Sequence, residues 1–206
     1  MPDIDRILGI APVIPVLVIE RLEDAVPIAE ALVEGGLPVL EVTLRTAAAL
    51  AAIRAMKRVP GAVVGAGTVL DPDQLAAALD AGAEFIVSPG LTERLGEAAF
   101  SAAIPFLPGV ATTGDVMRAR DHGFSRLKFF PAEAAGGLPV LKALSAVFGG
   151  MRFCPTGGIT LESAPRWLAL PAVACVGGSW LAPAGEAVDR AAIAARARAA
   201  AALRQR

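Results

Sequence analysis

Short runs of apolar and β-branched residues recur along the chain, with their starts roughly 21 to 25 residues apart. They lie at 13–19, 38–44, 62–67, 84–87, 105–108, 126–130, 151–156 and 172–176. Stretches with helical periodicity, many of them rich in alanine, separate these runs, and the spacing is the length of one strand–helix unit. The pattern therefore predicts eight parallel strands that alternate with eight helices and are joined by right-handed crossovers.

Eight such units in a chain of 206 residues are most simply closed into one (β/α)8 barrel, or TIM barrel, which we expect to span residues 1–206 as a single domain. We predict a short helix over 3–8 that caps the amino-terminal mouth of the barrel, and an alanine- and arginine-rich helix over 190–206. An open doubly wound sheet is the alternative. It would need a glycine-rich dinucleotide-binding turn after the first strand, where the chain has Glu-Arg-Leu-Glu at 20–23.

Composition narrows the possible partners. The chain is 55% hydrophobic, but its longest uncharged run, 167–185, is interrupted by prolines and a glycine pair, and no charged-then-apolar leader opens the chain. We therefore expect neither a membrane-spanning helix nor a signal peptide. A net charge of −1 provides no sequence-wide basic field for nucleic acid. The one basic cluster, at 190–206, is interpreted as a solvated helix face, with nucleic-acid binding as the alternative.

Cysteine and histidine are scarce in the sequence. Cys154 and Cys175 are too few and too far apart for a disulfide framework or a zinc site, so we interpret them as buried thiols of a cytoplasmic protein. The only histidine, His122, stands at a predicted helix end, where capping is its expected role. Since the usual imidazole ligands are missing, we predict a reaction that uses neither a metal nor a cofactor.

Polar side chains fall on the predicted inner face of the second strand. Residues of a barrel strand point alternately inward and outward, so Glu41, Thr43 and Arg45 share one face, opposite Leu40 and its apolar neighbours. A buried carboxylate and guanidinium are costly unless they are paired or used in a reaction. One interpretation is a structural Glu41–Arg45 pair. The other is chemistry at the carboxyl end of the strands, where barrel enzymes carry their active sites.

A lysine lies inside the apolar run 126–130. Alternation places Lys128 on the face opposite Leu127 and Phe129, whereas Lys57 and Lys142 fall on helices. Burial disfavours the charged form of an amine, and a neutral amine is a nucleophile. Lys128 is therefore either a structural partner of Glu41 or an amine nucleophile, and two inward ionisable residues of opposite type favour the second interpretation.

Two glycine pairs follow the last two predicted strands. The seventh predicted strand is followed by a glycine pair in Pro-Thr-Gly-Gly at 155–158. The eighth is followed by a glycine pair in Gly-Gly-Ser-Trp at 177–180. Barrel enzymes often bind phosphate with the loops after strands 7 and 8, through exposed backbone N–H groups and a helix N-terminus. The sequence therefore predicts a small phosphorylated ligand, although a single glycine pair could be only a tight turn.

Six motifs, taken in order, resemble those of the bacterial 2-keto-3-deoxy-6-phosphogluconate (KDPG) and 4-hydroxy-2-oxoglutarate (KHG) aldolases. They are E-V-T-L-R (41–45), G-A-G-T-V-L (65–70), S-P-G (88–90), F-F-P-A-E (129–133), F-C-P-T-G-G-I (153–159) and G-G-S-W-L (177–181). The resemblance covers nearly the whole predicted barrel. It implies a class I aldolase with a (β/α)8 fold that works as a homotrimer in the Entner–Doudoroff pathway.

The resemblance also implies a role for each matching residue. Lys128 resembles the lysine that forms the Schiff base, and Glu41 resembles the general acid/base. The pyruvyl-binding positions are Arg45 and Thr68 for the carboxylate, Pro89 and Phe130 for the apolar walls, and Thr156 for stereochemistry. The phosphate-binding positions are Gly157, Gly158, Gly178 and Ser179. Two alternatives stay open: another phosphate-binding barrel enzyme, such as an isomerase or a vitamin-pathway synthase, and a non-catalytic phosphosugar-binding barrel.

Overall fold

Strands and helices alternate along the computed structural model, which describes residues 4–203. The strands are β1 Val13–Leu17, β2 Val39–Thr43, β3 Val63–Gly67, β4 Ile86–Val87, β5 Phe106–Leu107, β6 Gly109–Val110, β7 Arg126–Phe129, β8 Arg152–Pro155 and β9 Val176–Gly178. The helices are α1 Ile4–Leu8, α2 Leu22–Glu34, α3 Ala49–Met56, α4 Pro72–Asp80, α5 Glu93–Ser101, α6 Thr113–Asp121, α7 Gly137–Val147, α8 Ala164–Leu168 and α9 Arg190–Ala201. The two predicted terminal helices are confirmed as α1 and α9, but α9 ends at Ala201, short of the predicted range 190–206; Asp3 and residues 204–206 lie outside the described residues.

The strands form a curled parallel sheet in two hydrogen-bonded parts. One part has the order β5-β4-β3-β2-β1-β9, and the other has the order β6-β7-β8. A single residue, Pro108, separates β5 from β6, and isolated parallel bridges pair Phe153 with Val173 and Thr156 with Gly177. Parallel neighbours joined through helices define an α/β fold, as the sequence predicts.

Two predicted strands differ from the structure. The run 105–108 contains β5, but a separate strand, β6, follows it after Pro108, because Pro108 has no N–H with which to continue a ladder. The last predicted strand, 172–176, is displaced: pairing with β1 begins at Val176 and includes Gly177 and Gly178. Glycine has no side chain to mark a buried position, so the hydrophobic pattern places these two glycines in a loop.

Close packing of alanine-rich helices explains much of the apolar composition. A Cβ atom on Gly35, at the end of α2, would lie only 2.3 Å from the Cβ of Ala197 in α9. The exposed sides of the same helices carry ion pairs, Arg190 with Glu30 at 3.0 Å and Arg198 with Glu34 at 2.7 Å. These contacts agree with the interpretation of the basic cluster as a solvated helix face. No helix within residues 4–203 combines the length and the apolar character needed to cross a bilayer.

The amino ends of the strands are covered by α1. Asp5 accepts a hydrogen bond from Nη2 of Arg126, the first residue of β7, at 2.9 Å. Ile7 and Leu8 are buried in an apolar cluster, which we call the inner cluster. Its other members come from the strands and their flanks: Ile14, Val39, Phe85, Val87, Leu107, Cys154, Ala174 and Cys175. The predicted position of this helix, at the amino ends of the strands, is confirmed for the described residues of α1.

Candidate active site

A buried ion pair joins β2 to β7 across the interior. Nζ of Lys128 donates to Oε1 of Glu41 at 3.0 Å, and the two residues are 5% and 3% exposed. Strand alternation thus placed both residues correctly on the inner face. Arg45 lies two residues beyond the end of β2 and is exposed, so the alternative of a structural Glu41–Arg45 pair is wrong. Removing two charges from water is expensive, which makes the pair a candidate for chemistry.

The surroundings of Lys128 are set by its neighbouring strands. Its backbone N–H donates to the carbonyl of Pro108 at 2.8 Å, and its register partners are Gly109 in β6 and Cys154 in β8. Nζ lies 5.3 Å from the centroid of the Phe130 ring, within the range of a cation–π contact. The amine therefore has one carboxylate and one aromatic face in reach, at the carboxyl end of β7.

The two thiols lie close to this pair but are not candidate nucleophiles. Cys154 and Cys175 are 2% and 0% exposed, which confirms that they are buried. The pKa of the Cys175 thiol is raised well above its usual range. The causes are a hydrogen bond with Cys154, burial, and the charge of Glu41. That thiol stays protonated, and a protonated thiol is a poor nucleophile. Lys128 is the better candidate.

The residues expected to hold the pyruvyl group all follow the carboxyl ends of strands. Thr68 comes directly after β3 in a left-handed conformation with φ of 58°, which is uncommon for a residue other than glycine. Pro89 and Phe130 are half-buried after β4 and β7, and Thr156 is buried after β8. The structure brings these four residues, with the exposed Arg45, to the same rim of the sheet.

Backbone hydrogen bonds join the rim segments to one another. Leu44 donates to Gly67 at 2.8 Å, Val69 to Val87 at 3.2 Å, and Ala132 to Thr156 at 2.8 Å. Each bond connects the segment after one strand with the neighbouring strand or its loop. These bonds tie the segments that follow β2, β3 and β7 to their neighbours at the rim.

The positions expected to bind phosphate require glycine for two different structural reasons, backbone conformation and close packing. Gly157 and Gly158 have φ of 106° and 78°, in the left-handed region that favours glycine. Gly178 belongs to β9, and a Cβ there would lie 2.1 Å from the ring of Trp180. Ser179 is exposed, and its hydroxyl makes no hydrogen bond to any residue in the described range 4–203. Its hydroxyl remains available as a donor.

Sequence reasoning did not predict why two further positions of the site, 67 and 177, are glycine. A Cβ on Gly67 would lie 2.2 Å from Oε1 of Glu41, and a Cβ on Gly177 would lie 2.2 Å from Oγ1 of Thr156. Both glycines stand inside the motifs that carry the family resemblance. Only the pairing of neighbouring strands reveals which polar side chain occupies the space that each glycine leaves.

No group of three or more His, Cys, Asp or Glu side chains within residues 4–203 is arranged to hold a metal ion. His122 is the C-cap of α6, as predicted, and its backbone N–H donates to Arg118. The chemical functions of the site are an amine, a carboxylate, hydroxyl groups and backbone N–H groups. This α/β protein carries a buried lysine–carboxylate pair at the carboxyl ends of its strands. These are the functional groups of an enzyme that binds carbonyl substrates as imines.

Comparison with known proteins places the chain within one class of such enzymes. Residues 4–196 match the family model described as KDPG and KHG aldolase, and the chain belongs to this family. The 2-dehydro-3-deoxy-phosphogluconate aldolase of Zymomonas mobilis subsp. mobilis is 61% identical over 90% of this chain and 89% of its own length. The match confirms the resemblance predicted from the sequence motifs.

Solved structures agree with the family assignment. The 2-keto-3-deoxy-6-phosphogluconate aldolase of Zymomonas mobilis ZM4, solved with 3-phosphoglycerate, has a TM-score of 0.97 and 59% identity over 100% of this chain and 98% of its own. The KDPG aldolase of Legionella pneumophila has a TM-score of 0.93 and 46% identity over 96% and 98% of the two chains. Pyruvate was captured in that protein at low pH as a covalent carbinolamine intermediate.

Proposed function

We propose that this chain is a class I aldolase that cleaves KDPG to pyruvate and glyceraldehyde 3-phosphate, and KHG to pyruvate and glyoxylate. The observation that carries the proposal is the buried contact between Lys128 and Glu41 at 3.0 Å. A non-catalytic binding barrel has no need of an amine and a carboxylate buried together at this position. Pyruvate release from KDPG and from KHG, assayed side by side on the purified chain, tests the proposal directly.

The reaction follows from the chemistry of the pair. Glu41 accepts the proton that Lys128 must lose, and the neutral amine attacks the C2 carbonyl of the substrate to form a carbinolamine. Loss of water then gives a protonated imine, which withdraws electrons from the C3–C4 bond. Glu41, which has given the earlier proton to the carbinolamine hydroxyl that leaves as water, takes the C4 hydroxyl proton as that bond breaks, with the electron pair moving to C3. The aldehyde leaves, C3 of the enamine is protonated, and water hydrolyses the imine to pyruvate and free Lys128.

The rim residues are proposed to hold the two ends of the substrate. Arg45 and Thr68 bind the pyruvyl carboxylate, Pro89 and Phe130 form the apolar walls, and Thr156 influences which face of the aldehyde reacts. The phosphate of KDPG is bound by Gly157, Gly158, Gly178 and Ser179. Left-handed glycines expose their N–H groups to a close anion, and the free Ser179 hydroxyl adds a donor, which supports this assignment.

Ser179→Ala is expected to separate the two substrates. A hydrogen bond to a charged group contributes ~1.5–3 kcal/mol, so kcat/KM for KDPG should fall by roughly ten- to a hundred-fold. The value for KHG should barely change, because KHG carries no phosphate. Steady-state kinetics on both substrates make the measurement, and trapping of pyruvate on Lys128 serves as the control. Equal losses on both substrates would show that Ser179 supports the rim generally and would remove it from the phosphate site.

We also propose that the two parts of the sheet close into a complete (β/α)8 barrel formed by a single domain over 1–206. Two observations support closure. Only Pro108 separates β5 in one part from β6 in the other, and the bridges of Phe153 with Val173 and of Thr156 with Gly177 join the region of β8 to that of β9.

Burial of both cysteines as free thiols fits a reducing cytoplasm, where the Entner–Doudoroff pathway would operate.

We expect the enzyme to be a homotrimer. Large apolar side chains on several helices and loops are exposed, among them Leu70, Phe100, Met117 and Val147 at 54%, 62%, 57% and 71%. Burying such side chains between subunits would stabilise a closed symmetric assembly. Multi-angle light scattering at micromolar concentration should give three times the chain mass of 21.0 kDa. A mass equal to that of one chain would contradict the assembly.

A further inference from the structure

The carboxylate of Glu41 occupies the space where a side chain at position 67 would lie. A Cβ built on Gly67 would stand 2.2 Å from Oε1 of Glu41, 2.6 Å from its Cγ and 2.8 Å from its Cδ. All of these distances are shorter than any that real Cβ atoms show. Gly67 is the last residue of β3 and pairs with Thr43 of β2, two residues after Glu41. The side chain of Glu41 therefore extends along β2 and lies over Gly67.

Space, and not backbone conformation, requires glycine at this position. Gly67 does not have the positive φ that favours glycine, unlike the next residue, Thr68, whose φ is 58°. Its carbonyl accepts the N–H of Leu44 at 2.8 Å, which holds the backbone of β3 against β2. Because the backbone is fixed, an added methyl group would have to displace the Glu41 carboxylate.

We infer that Gly67 is a positioning residue for the reaction: it leaves the gap that seats the Glu41 carboxylate 3.0 Å from Nζ of Lys128. The inference rests on the proposed function, in which Glu41 transfers protons to and from Lys128 and the substrate. Proton transfer depends steeply on distance, and a misplacement of about 1 Å can lower the rate by about 10²-fold. Gly67 acts through Glu41, since the three atoms nearest to an added Cβ all belong to the Glu41 side chain.

Gly67→Ala is expected to lower kcat for pyruvate release from KDPG by roughly ten- to a hundred-fold, with a much smaller change in KM. In a Glu41→Gln background, where the proton acceptor is already lost, the same change should cause little further loss. This non-additivity is the signature of two residues that act as one unit. An equal loss of kcat in both backgrounds, or wild-type kcat in the single variant, would overturn the inference.

Thermal unfolding supplies a test that does not depend on activity. Gly67→Ala should lower the Tm of the wild-type chain, but should lower it much less in a Glu41→Ala background, where the gap is no longer filled. Gly65→Ala is the matched control: it lies on the same face of β3, and its Cβ would meet the ring of Phe85 at 2.5 Å. Its effect on Tm should be the same with and without the side chain of Glu41.

The outcomes separate this inference from the proposed function. A wild-type chain that releases no pyruvate from either substrate would contradict the aldolase proposal, whatever the variants do. An active wild-type chain in which Gly67→Ala lowers Tm equally in both backgrounds would contradict the role of Gly67 alone. Relief of the Tm loss by Glu41→Ala, together with the non-additive kcat, supports the inference.

Discussion

Replacement of Lys128 by arginine is expected to abolish covalent trapping of pyruvate and to lower aldolase turnover by at least ~10⁴-fold. Arginine keeps the positive charge beside Glu41, so the buried ion pair can persist, but a guanidinium does not form an imine with a ketone. The measurement is incubation with pyruvate and borohydride, followed by intact mass and peptide mapping. The wild-type chain should gain one reduced pyruvate, on the peptide that contains Phe129 and Phe130.

Lys57 and Lys142 provide the controls, since the chain has only these two other lysines. Lys57 is exposed and donates to the carbonyl of Gly82 at 2.9 Å, and Lys142 is exposed on α7. Their arginine variants should be trapped and should turn over as the wild-type chain does. A reduced adduct on either of them, or complete loss of activity with a chelator, would rule out the class I mechanism at Lys128. Absence of any adduct on the wild-type chain would favour the non-catalytic binding barrel.

Glu41→Gln is expected to slow turnover by at least ~10²-fold while the fold is retained, because the loss of a general acid/base costs ~10²–10⁴-fold. The glutamine side chain has the same shape, and its amide oxygen can still accept a hydrogen bond from Lys128. It does not take up a proton at neutral pH. Turnover and Tm should be measured on the same preparation, with Glu84→Gln as the control. Glu84 is half-buried, and its carboxylate accepts the backbone N–H of Val64 at 3.2 Å.

The opposite pattern would identify Glu41 as a structural partner. If Glu41→Gln lowered Tm by many degrees while turnover persisted, the pair with Lys128 would serve mainly to hold β2 and β7 together. Breaking a buried ion pair by removal of one charge costs ~3–5 kcal/mol when the remaining charge stays unpaired. The ratio of the two effects, on rate and on stability, therefore decides between a catalytic and a structural carboxylate.

The inner face of the sheet was predictable because strand alternation is a local rule. It correctly assigned Glu41 and Lys128 to the interior from sequence alone. The same rule failed at Arg45, since β2 ends at Thr43 and alternation has no meaning beyond the end of a strand. The family motifs supplied the roles of the rim residues, which stay predictions until variants are measured.

Features that depend on two strands at once were not predictable. The space that Gly67 leaves for Glu41 follows from the register of β2 with β3, and alternation along one strand assigns a face but not the residue that lies opposite on the next strand. Gly177 and Gly178 were assigned to a loop for a related reason, because the ladder with β1 includes them although they have no side chains. The break at Pro108 could have been found, since proline cannot donate to a ladder in mid-strand.

The cover formed by α1 over the amino ends of the strands has a kinetic consequence. Ile7, Leu8 and the rest of the inner cluster fill the space between the amino ends of the strands, so we expect substrate to reach Lys128 from the carboxyl rim. In the proposed reaction, pyruvate would stay bound to Lys128 as an imine while the aldehyde forms between it and the rim. We therefore expect an ordered departure through one opening: the aldehyde diffuses out over the carboxyl rim first, and pyruvate follows after hydrolysis by water that enters over the same rim.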